Sequence, residues 1–447
     1  MQLQTLSKSI TMNKKKSLLL LPLFQFCGAF SQTGIFYWND TLTSNNWITS
    51  IAQTPKGDIY MAGTVTDADD KNPQPIFIRT DKNGMLLVKK VVEAPGLFQL
   101  IDFLLLPKAS NCNVDCYSLK LFGTKAESGV PSFYTQPLSA NGEPQGTEAT
   151  LSNSPQIMGD IAPINDSENY FSFSRHSTGY PYNVRLIKEK YREVKDASFP
   201  GFVAMQEKYI AIHSDNNELC QGVIPDSNEF VFLFCSRNYS ANNADAVLYK
   251  ISLKTDSIVW TREISSRMNI ATPGIFKGSN NTLIMLLNYS DNLVADSGKT
   301  RLLQINMTTG DTVAINKSFN LRSSGLLMLK NGNYVLYGGR LQTNKDLGNN
   351  VSIKGKWIVL DKNFNTVKED EMGMFDEPDA TLPSLAMTVN PTMSELNKAV
   401  QLSDGRIAFA GRVYMPNHTS PNEIIYSRYY NKPMLFITDQ SGNFRKE

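Results

Sequence analysis

The chain has 447 residues, 44 lysines and arginines against 42 aspartates and glutamates, and a hydrophobic fraction of 41%. That length and apolar content supply a large core and exclude a disordered chain, and a formal net charge of +2 gives no electrostatic footprint for nucleic acid. With only three histidines (His176, His213, His418), none at metal-ligand spacing from a cysteine, and no glycine-rich phosphate motif, neither a metal nor a cofactor is expected.

The first stretch reads as a secretory signal over residues 1–31. Lys14, Lys15 and Lys16 form a positive region, Leu18 to Phe26 a short apolar one, and Ala29-Phe30-Ser31 supplies small residues at a cleavage site before Gln32. The apolar run is broken by Pro22 and Gln25 and is too short to span a bilayer. Cys27 raises lipidation, but bulky Phe26 before it argues for simple cleavage. Residues 32–447 are therefore expected to be exported as one domain, peripheral to a membrane at most. The four remaining cysteines, Cys112, Cys116, Cys220 and Cys235, form an even set, which in an exported chain suggests two disulfides. Cys220 and Cys235 flank Pro225-Asp226-Ser227-Asn228 and count out as opposed residues on paired strands. Cys112 and Cys116 would staple a turn. Buried thiols are the alternative.

Ile35-Phe36-Tyr37-Trp38 stands where the closing strand of a ring would be. The repeat follows. Thr54-Pro55-Lys56-Gly57-Asp58-Ile59-Tyr60-Met61-Ala62-Gly63 has counterparts at Leu329 to Gly338 and Leu402 to Gly411. Asn-Gly or Asp-Gly between alternating runs predicts a hairpin with positive φ at both central residues. A variable loop, a third strand, a second turn and a fourth strand complete each copy, as in Ile76 to Thr80, Asp81-Lys82-Asn83-Gly84 and Met85 to Val91. The fold class is all-β. Seven copies, with first strands near Trp47, Phe98, Ile157, Leu219, Thr272, Ser324 and Asn397, predict a seven-bladed β-propeller of four antiparallel strands per blade. Phe202 to Ser214 looks like an extra hairpin or part of a degenerate eighth blade.

Alternating strand direction puts the first-to-second and third-to-fourth turns on one face. The second-to-third loops and the links between blades fall on the other, and the long irregular segments are expected there. Two clusters of interface-type residues fall in them: Arg175, His176, Tyr180 and Tyr182, with Tyr239 nearby; and Tyr414, Met415, Tyr426, Arg428, Tyr429 and Tyr430. The long segment at about 371–395 adds Met372, Met374 and Phe375 as a docking stretch. Asp67 to Asn72 does not carry the glycine and distal glutamate that a calcium loop wants. No catalytic set is evident.

Gly57 to Thr64, followed by Ile76 to Gly84, resembles the repeats of exported bacterial β-propellers, above all those of Bacteroidota-type bacteria, where a glutamine after the signal is also common. The chain ends in the last copy, at Phe444-Arg445-Lys446-Glu447, rather than in a C-terminal sorting domain. The resemblance therefore implies residence in the periplasm or at the outer membrane. It also implies a non-catalytic accessory or plug-type subunit of an outer-membrane protein-export (type IX-like) assembly. The alternative is a carbohydrate-binding or carbohydrate-active propeller with an axial pocket. A convergent pair of buried carboxylates on the axis would favour that alternative.

Overall fold

The computed structural model describes residues 34–37 and 45–444, apart from 68–70, 107–117, 128–129, 146–148, 152–155, 166–167, 177–181, 195–200, 213–216, 227–228, 241–242, 265–273, 291–297, 345–349, 373–393 and 417–428. Every regular element among them is a strand, and the strands form antiparallel four-stranded sheets in the manner of a β-propeller. Sheet I is β2 (Asn45–Gln53), β3 (Ile59–Thr66), β4 (Gln74–Thr80) and β5 (Leu86–Val91). Sheet II is β6 (Leu97–Leu105), β7 (Leu119–Glu127), β8 (Val130–Leu138) and β9 (Ala149–Leu151). Sheet III is β10 (Gln156–Asn165), β11 (Glu168–His176), β12 (Tyr182–Val194) and β13 (Gly201–Ile212). Sheet IV is β14 (Asn217–Pro225), β15 (Phe230–Ser240), β16 (Asn243–Ser252) and β17 (Ser257–Ile264). Sheet V is β18 (Gly274–Lys277), β19 (Thr282–Ser290), β20 (Gly298–Asn306) and β21 (Thr312–Phe319). Sheet VI is β22 (Arg322–Met328), β23 (Tyr334–Asn344), β24 (Asn350–Leu360) and β25 (Thr366–Met372). Sheet VII takes β26 (Ser394–Gln401), β27 (Ile407–Pro416) and β28 (Tyr429–Thr438) from one end of the chain and β1 (Gly34–Tyr37) from the other. Gly34 pairs with Ile437 and Tyr37 with Met434, so the first strand completes the last sheet.

The middle strands carry apolar runs such as Val231 to Cys235 and Ile407 to Ala410 because both of their faces are buried. Successive side chains point to opposite faces. Ile59, Met61, Ile76 and Ile78 of sheet I therefore pack against Ala408, Ala410, Leu435 and Ile437 of sheet VII, whereas Tyr60, Ala62 and Phe77 pack against Leu100, Leu119 and Tyr134 of sheet II. The same division gives one core cluster between each sheet and the next around the ring. The innermost strands β2, β6, β10, β14, β18, β22 and β26 begin within three residues of the first strands read from the repeat.

Three details correct the sequence reading. The first-to-second turns of sheets I, VI and VII are longer than a two-residue hairpin. Gly57 N–H bonds Thr54 O at 2.9 Å and Thr54 N–H bonds Asp58 O at 2.8 Å, and only the glycine has positive φ (Gly57 103°, Gly332 83°, Gly405 91°). That is a type I turn followed by a left-handed residue. Among the described residues, the double positive φ occurs in sheet V, at Asn280 and Asn281. Second, Phe202 to Ser214 is not an extra hairpin: its described part, to Ile212, belongs to β13, one strand of 12 residues that pairs with the 13-residue β12 across a bulge. Third, the long connections between strands are not confined to one face. Segments 67–73, 291–297, 345–349, 373–393 and 417–428 lie between elements on the expected side, but 106–118 and 139–148 leave the opposite one.

The third-to-fourth turns of sheets I, VI and VII are built by an aspartate that folds back. Asp81 Oδ1 accepts the N–H groups of Asn83 and Met85, both at 2.8 Å, and Asp361 and Asp439 do the same two and four residues on. These turns bind the neighbouring sheet: Trp357 Nε1 donates to Gly442 O at 3.0 Å and Lys317 Nζ to Phe364 O at 3.0 Å. Phe364 occupies the left-handed position (φ 60°) that glycine fills in sheets I and VII, and its buried ring stacks on Tyr334 at 4.8 Å. Phe364→Gly should relieve ~1 kcal/mol of strain and forfeit ~3 kcal/mol of aromatic packing. A net loss of about 2 kcal/mol is expected in a urea midpoint measurement.

Candidate functional site

Six of the seven innermost strands carry a bulge at one level. The extra residues are Thr49, Ile101, Gly159, Gln221, Ser324 and Asn397; the short β18 has none. The residues that follow them are Ser50, Asp102, Asp160, Gly222, Gly325 and Lys398. A bulge bends its strand and re-aims the next side chain, and here the re-aimed residues meet. Lys398 Nζ lies 3.1 Å from Asp102 Oδ2, a pairing between sheets VII and II. Ser50 Oγ of sheet I donates to Asp102 Oδ1, which also accepts the Phe103 N–H at 2.7 Å. Asp160 Oδ2 of sheet III accepts the Val223 N–H of sheet IV at 2.9 Å. Asn397 Nδ2 reaches Ile48 O at 2.8 Å, tying sheet VII to sheet I. Tyr337 of sheet VI joins through a gap in its own inner strand: a Cβ on Gly325 would stand 2.2 Å from the Tyr337 hydroxyl.

The electrostatics follow from crowding charges onto a half-buried axis. Burial pushes the Asp160 carboxyl up to about 6. The Asp102 charge adds to that rise, while Lys398 and the Val223 amide oppose it. Asp102 holds the Lys398 ammonium well above the usual lysine range, helped by Asp160 and Tyr337. Burial raises the Tyr337 phenol. Lys398 keeps 41% of its side chain exposed and Asp102 13%, so the cluster touches solvent. Chemically it can exchange a proton at Asp160 and present an ammonium. The Asp102 carboxylate, bound by Ser50, Phe103 and Lys398, is already committed.

A second polar set crosses sheet IV. Fully buried Glu218 accepts from Arg237 Nη2 at 2.7 Å and from Tyr249 OH at 2.8 Å, and Arg237 Nη1 continues to Glu263 at 2.9 Å. Burial, then Glu218, raises the Tyr249 phenol far above its ordinary range. This set is internally satisfied and braces one sheet. Beside it, Cys220 and Cys235 are opposed in register, as the spacing predicts, but no bridge joins them: both are buried thiols. Cys220 precedes a bulge and its sulfur is turned to the carbonyls of Phe234 (3.6 Å) and Gly222 (3.8 Å). Burial and the adjoining Cys220 thiol push the Cys235 thiol well up. Cys112 and Cys116 lie outside the described residues.

The residues expected to contact a partner are brought together in part. His176 pairs with Tyr182, and Arg175 with Asn183, at the tip of the β11–β12 hairpin. Met415 pairs with Tyr430, Tyr414 with Asn431, and Tyr429 with Pro416 at the tip of β27–β28. Tyr239 is the extra residue of a bulge near the end of β15. Met372 is corrected: it ends β25 and is buried between sheets VI and VII among Trp357 and Leu396, where it cannot dock anything. Tyr180, Met374, Phe375, Tyr426 and Arg428 fall outside the described residues. The axial residues Asp102, Asp160, Tyr337 and Lys398 were missed. Their signal was a charge inside the apolar first strand of three copies, in Ile101-Asp102-Phe103, Gly159-Asp160-Ile161 and Asn397-Lys398-Ala399.

No protein-family model matches the sequence, and no curated protein does. Similar solved structures include hydrazine synthase of Kuenenia stuttgartiensis, with a TM-score of 0.49 at 10% identity over 91% of this chain and 99% of that one. A protein of unknown function from Dyadobacter fermentans gives 0.44 at 9% identity over 91% and 98%. The intramolecular trans-sialidase of Ruminococcus gnavus gives 0.40 at 11% identity over 94% and 100%. Likeness at this level carries no argument about activity.

Proposed function

We propose that the chain is a non-catalytic interaction subunit: a rigid seven-bladed disc, exported to the periplasm or the outer membrane, that docks on a protein complex such as a translocon. The observation behind this reading is a set of hairpins that outrun their inner strands on one face. In sheet VI the inner strand stops at the pair Arg322–Gly339, yet β23 and β24 stay paired to Asn344–Asn350. Those five further residues of β23 add about 16 Å at the usual strand rise. β19–β20 continues from Leu286 to Ser290, and β27–β28 from Val413 to Pro416. Among the described residues, three consecutive sheets thus project paired strands, and the turns at the opposite end of these three sheets are short.

The axis supports the same reading. Most glycoside hydrolases use two carboxyl groups flanking a sugar, and here Asp102 is held by Lys398. The carbohydrate alternative keeps one observation in its favour, the raised Asp160 carboxyl, and binding to a glycan array tests it. For the leading proposal, residues 343–351 are replaced by Asn-Gly and both proteins are used as bait on detergent-solubilised envelope from the native host. The full-length chain is expected to retain a membrane-protein partner, and the shortened one, with an unchanged melting temperature, to lose it. Equal recovery by both would remove the docking face from consideration.

A further inference from the structure

We infer that the axial cluster is a proton-operated clasp on the ring: with Asp160 protonated, the inner strands are held more firmly than with Asp160 ionised. The geometry carries this. Ser50, Asp102, Asp160, Val223, Tyr337 and Lys398 come from six different sheets, and the contacts among them join one sheet to another, I to II, VII to II and III to IV, rather than run along one sheet. Lys398 is the cation of this cluster. It is committed to Asp102 at 3.1 Å, so an ionised Asp160 leaves one negative charge unbalanced on the half-buried axis. Protonation restores one-to-one balance, and the other Asp160 oxygen can still accept the Val223 amide.

The charged groups acting on Asp160 are Asp102 from β6 and Lys398 from β26. Among the described side chains, these on the other strands packed against β10 have partners of their own. On β7, Lys120 lies over Phe122 and Lys125 over Tyr134; on β11, Glu168 faces Lys188; on β14, Glu218 holds Arg237. The Asp160 carboxyl stands at about 6 against an ordinary 3.8, so the folded state binds this proton more tightly than the unfolded state. The stability it contributes is fully present below pH ~4 and is lost as pH rises through ~6. Two units correspond to about a hundredfold change in the unfolding constant.

Urea unfolding of the whole chain and of Asp160→Asn at pH 4.0 and 7.5 tests the clasp. Asparagine keeps an acceptor for Val223 and removes the charge. The unfolding constants should agree within about threefold at pH 4.0, and the variant's should be about a hundredfold smaller at pH 7.5. Comparing the two proteins cancels the surface carboxylates, which respond to pH in the opposite sense. A ratio that does not change with pH, or a variant less stable at pH 7.5, overturns the inference. Should the variant fail to fold, carbon-13 carboxyl titration of the unmodified protein decides: an aspartate titrating near pH 6 supports the clasp, and none above pH 5 overturns it.

Discussion

Gly338→Ala is expected to abolish folding or nearly so, with soluble yield lost and any residual protein destabilised by more than about 3 kcal/mol. Gly338 pairs with Ser323, the residue just before the bulge in β22. A Cβ there would stand 2.1 Å from Arg322 O and 2.8 Å from Ser323 Cα and Ser324 N, all backbone atoms. No rotamer change can relieve that contact, because the inner strand itself would have to move off the axis. The same approach recurs at Gly63 (2.0 Å from Trp47 O), Gly123 (2.5 Å from Gln99 O) and Gly411 (1.9 Å from Glu395 O). Gly332 in the same hairpin is the control. Its φ is 83° and a Cβ added there would meet nothing within 4 Å, so Gly332→Ala should cost only about 1 kcal/mol of backbone strain. Equal melting temperatures for the two variants would show that the bulge is not what the repeat glycine serves.

That glycine also shows how much the residues themselves disclosed. Leu329 to Gly338 and its counterparts were legible as hairpins because turn chemistry and alternation are local. Why each hairpin closes on glycine was not legible, since the reason is a carbonyl on another strand. The closing strand at Ile35 to Tyr37 could be read because a ring of four-stranded sheets lacked one member. The axial cluster could not be read. Asp102, Asp160 and Lys398 are separated by long stretches of chain, and only the circular arrangement brings one inner strand opposite another. Met372 failed for a related reason: a methionine at the end of a strand and one in a loop look alike until the packing of sheet VII onto sheet VI is known. Cys220 and Cys235 were placed correctly in register, yet the bulge that turns the Cys220 sulfur toward carbonyls is a feature of the ring and not of the spacing.

Lys398→Met is expected to destabilise the protein, more at neutral than at acidic pH. Methionine keeps the length and apolar stem of the side chain and removes the ammonium. Asp102 and Asp160 are then left on the axis with no cation between them. Removing one partner of a fully buried pair costs about 3–5 kcal/mol. Lys398 keeps 41% of its side chain in solvent, which screens part of the charge, so about 2–3 kcal/mol is expected at pH 7.5. Lys398 lowers the Asp160 carboxyl, so its loss lets that carboxyl rise further. A raised carboxyl gives its stability below the unfolded value and loses it as pH climbs, so the deficit should shrink toward pH 4.5 as Asp160 takes up its proton. Asp160→Asn in the Lys398→Met background should then recover part of the loss at pH 7.5 and little at pH 4.5. Urea unfolding of the single and double variants at both pH values gives the coupling directly. A loss of the same size at both pH values, with no recovery in the double variant, would mean that Lys398 and Asp160 are not coupled and that the axis is not an electrostatic unit.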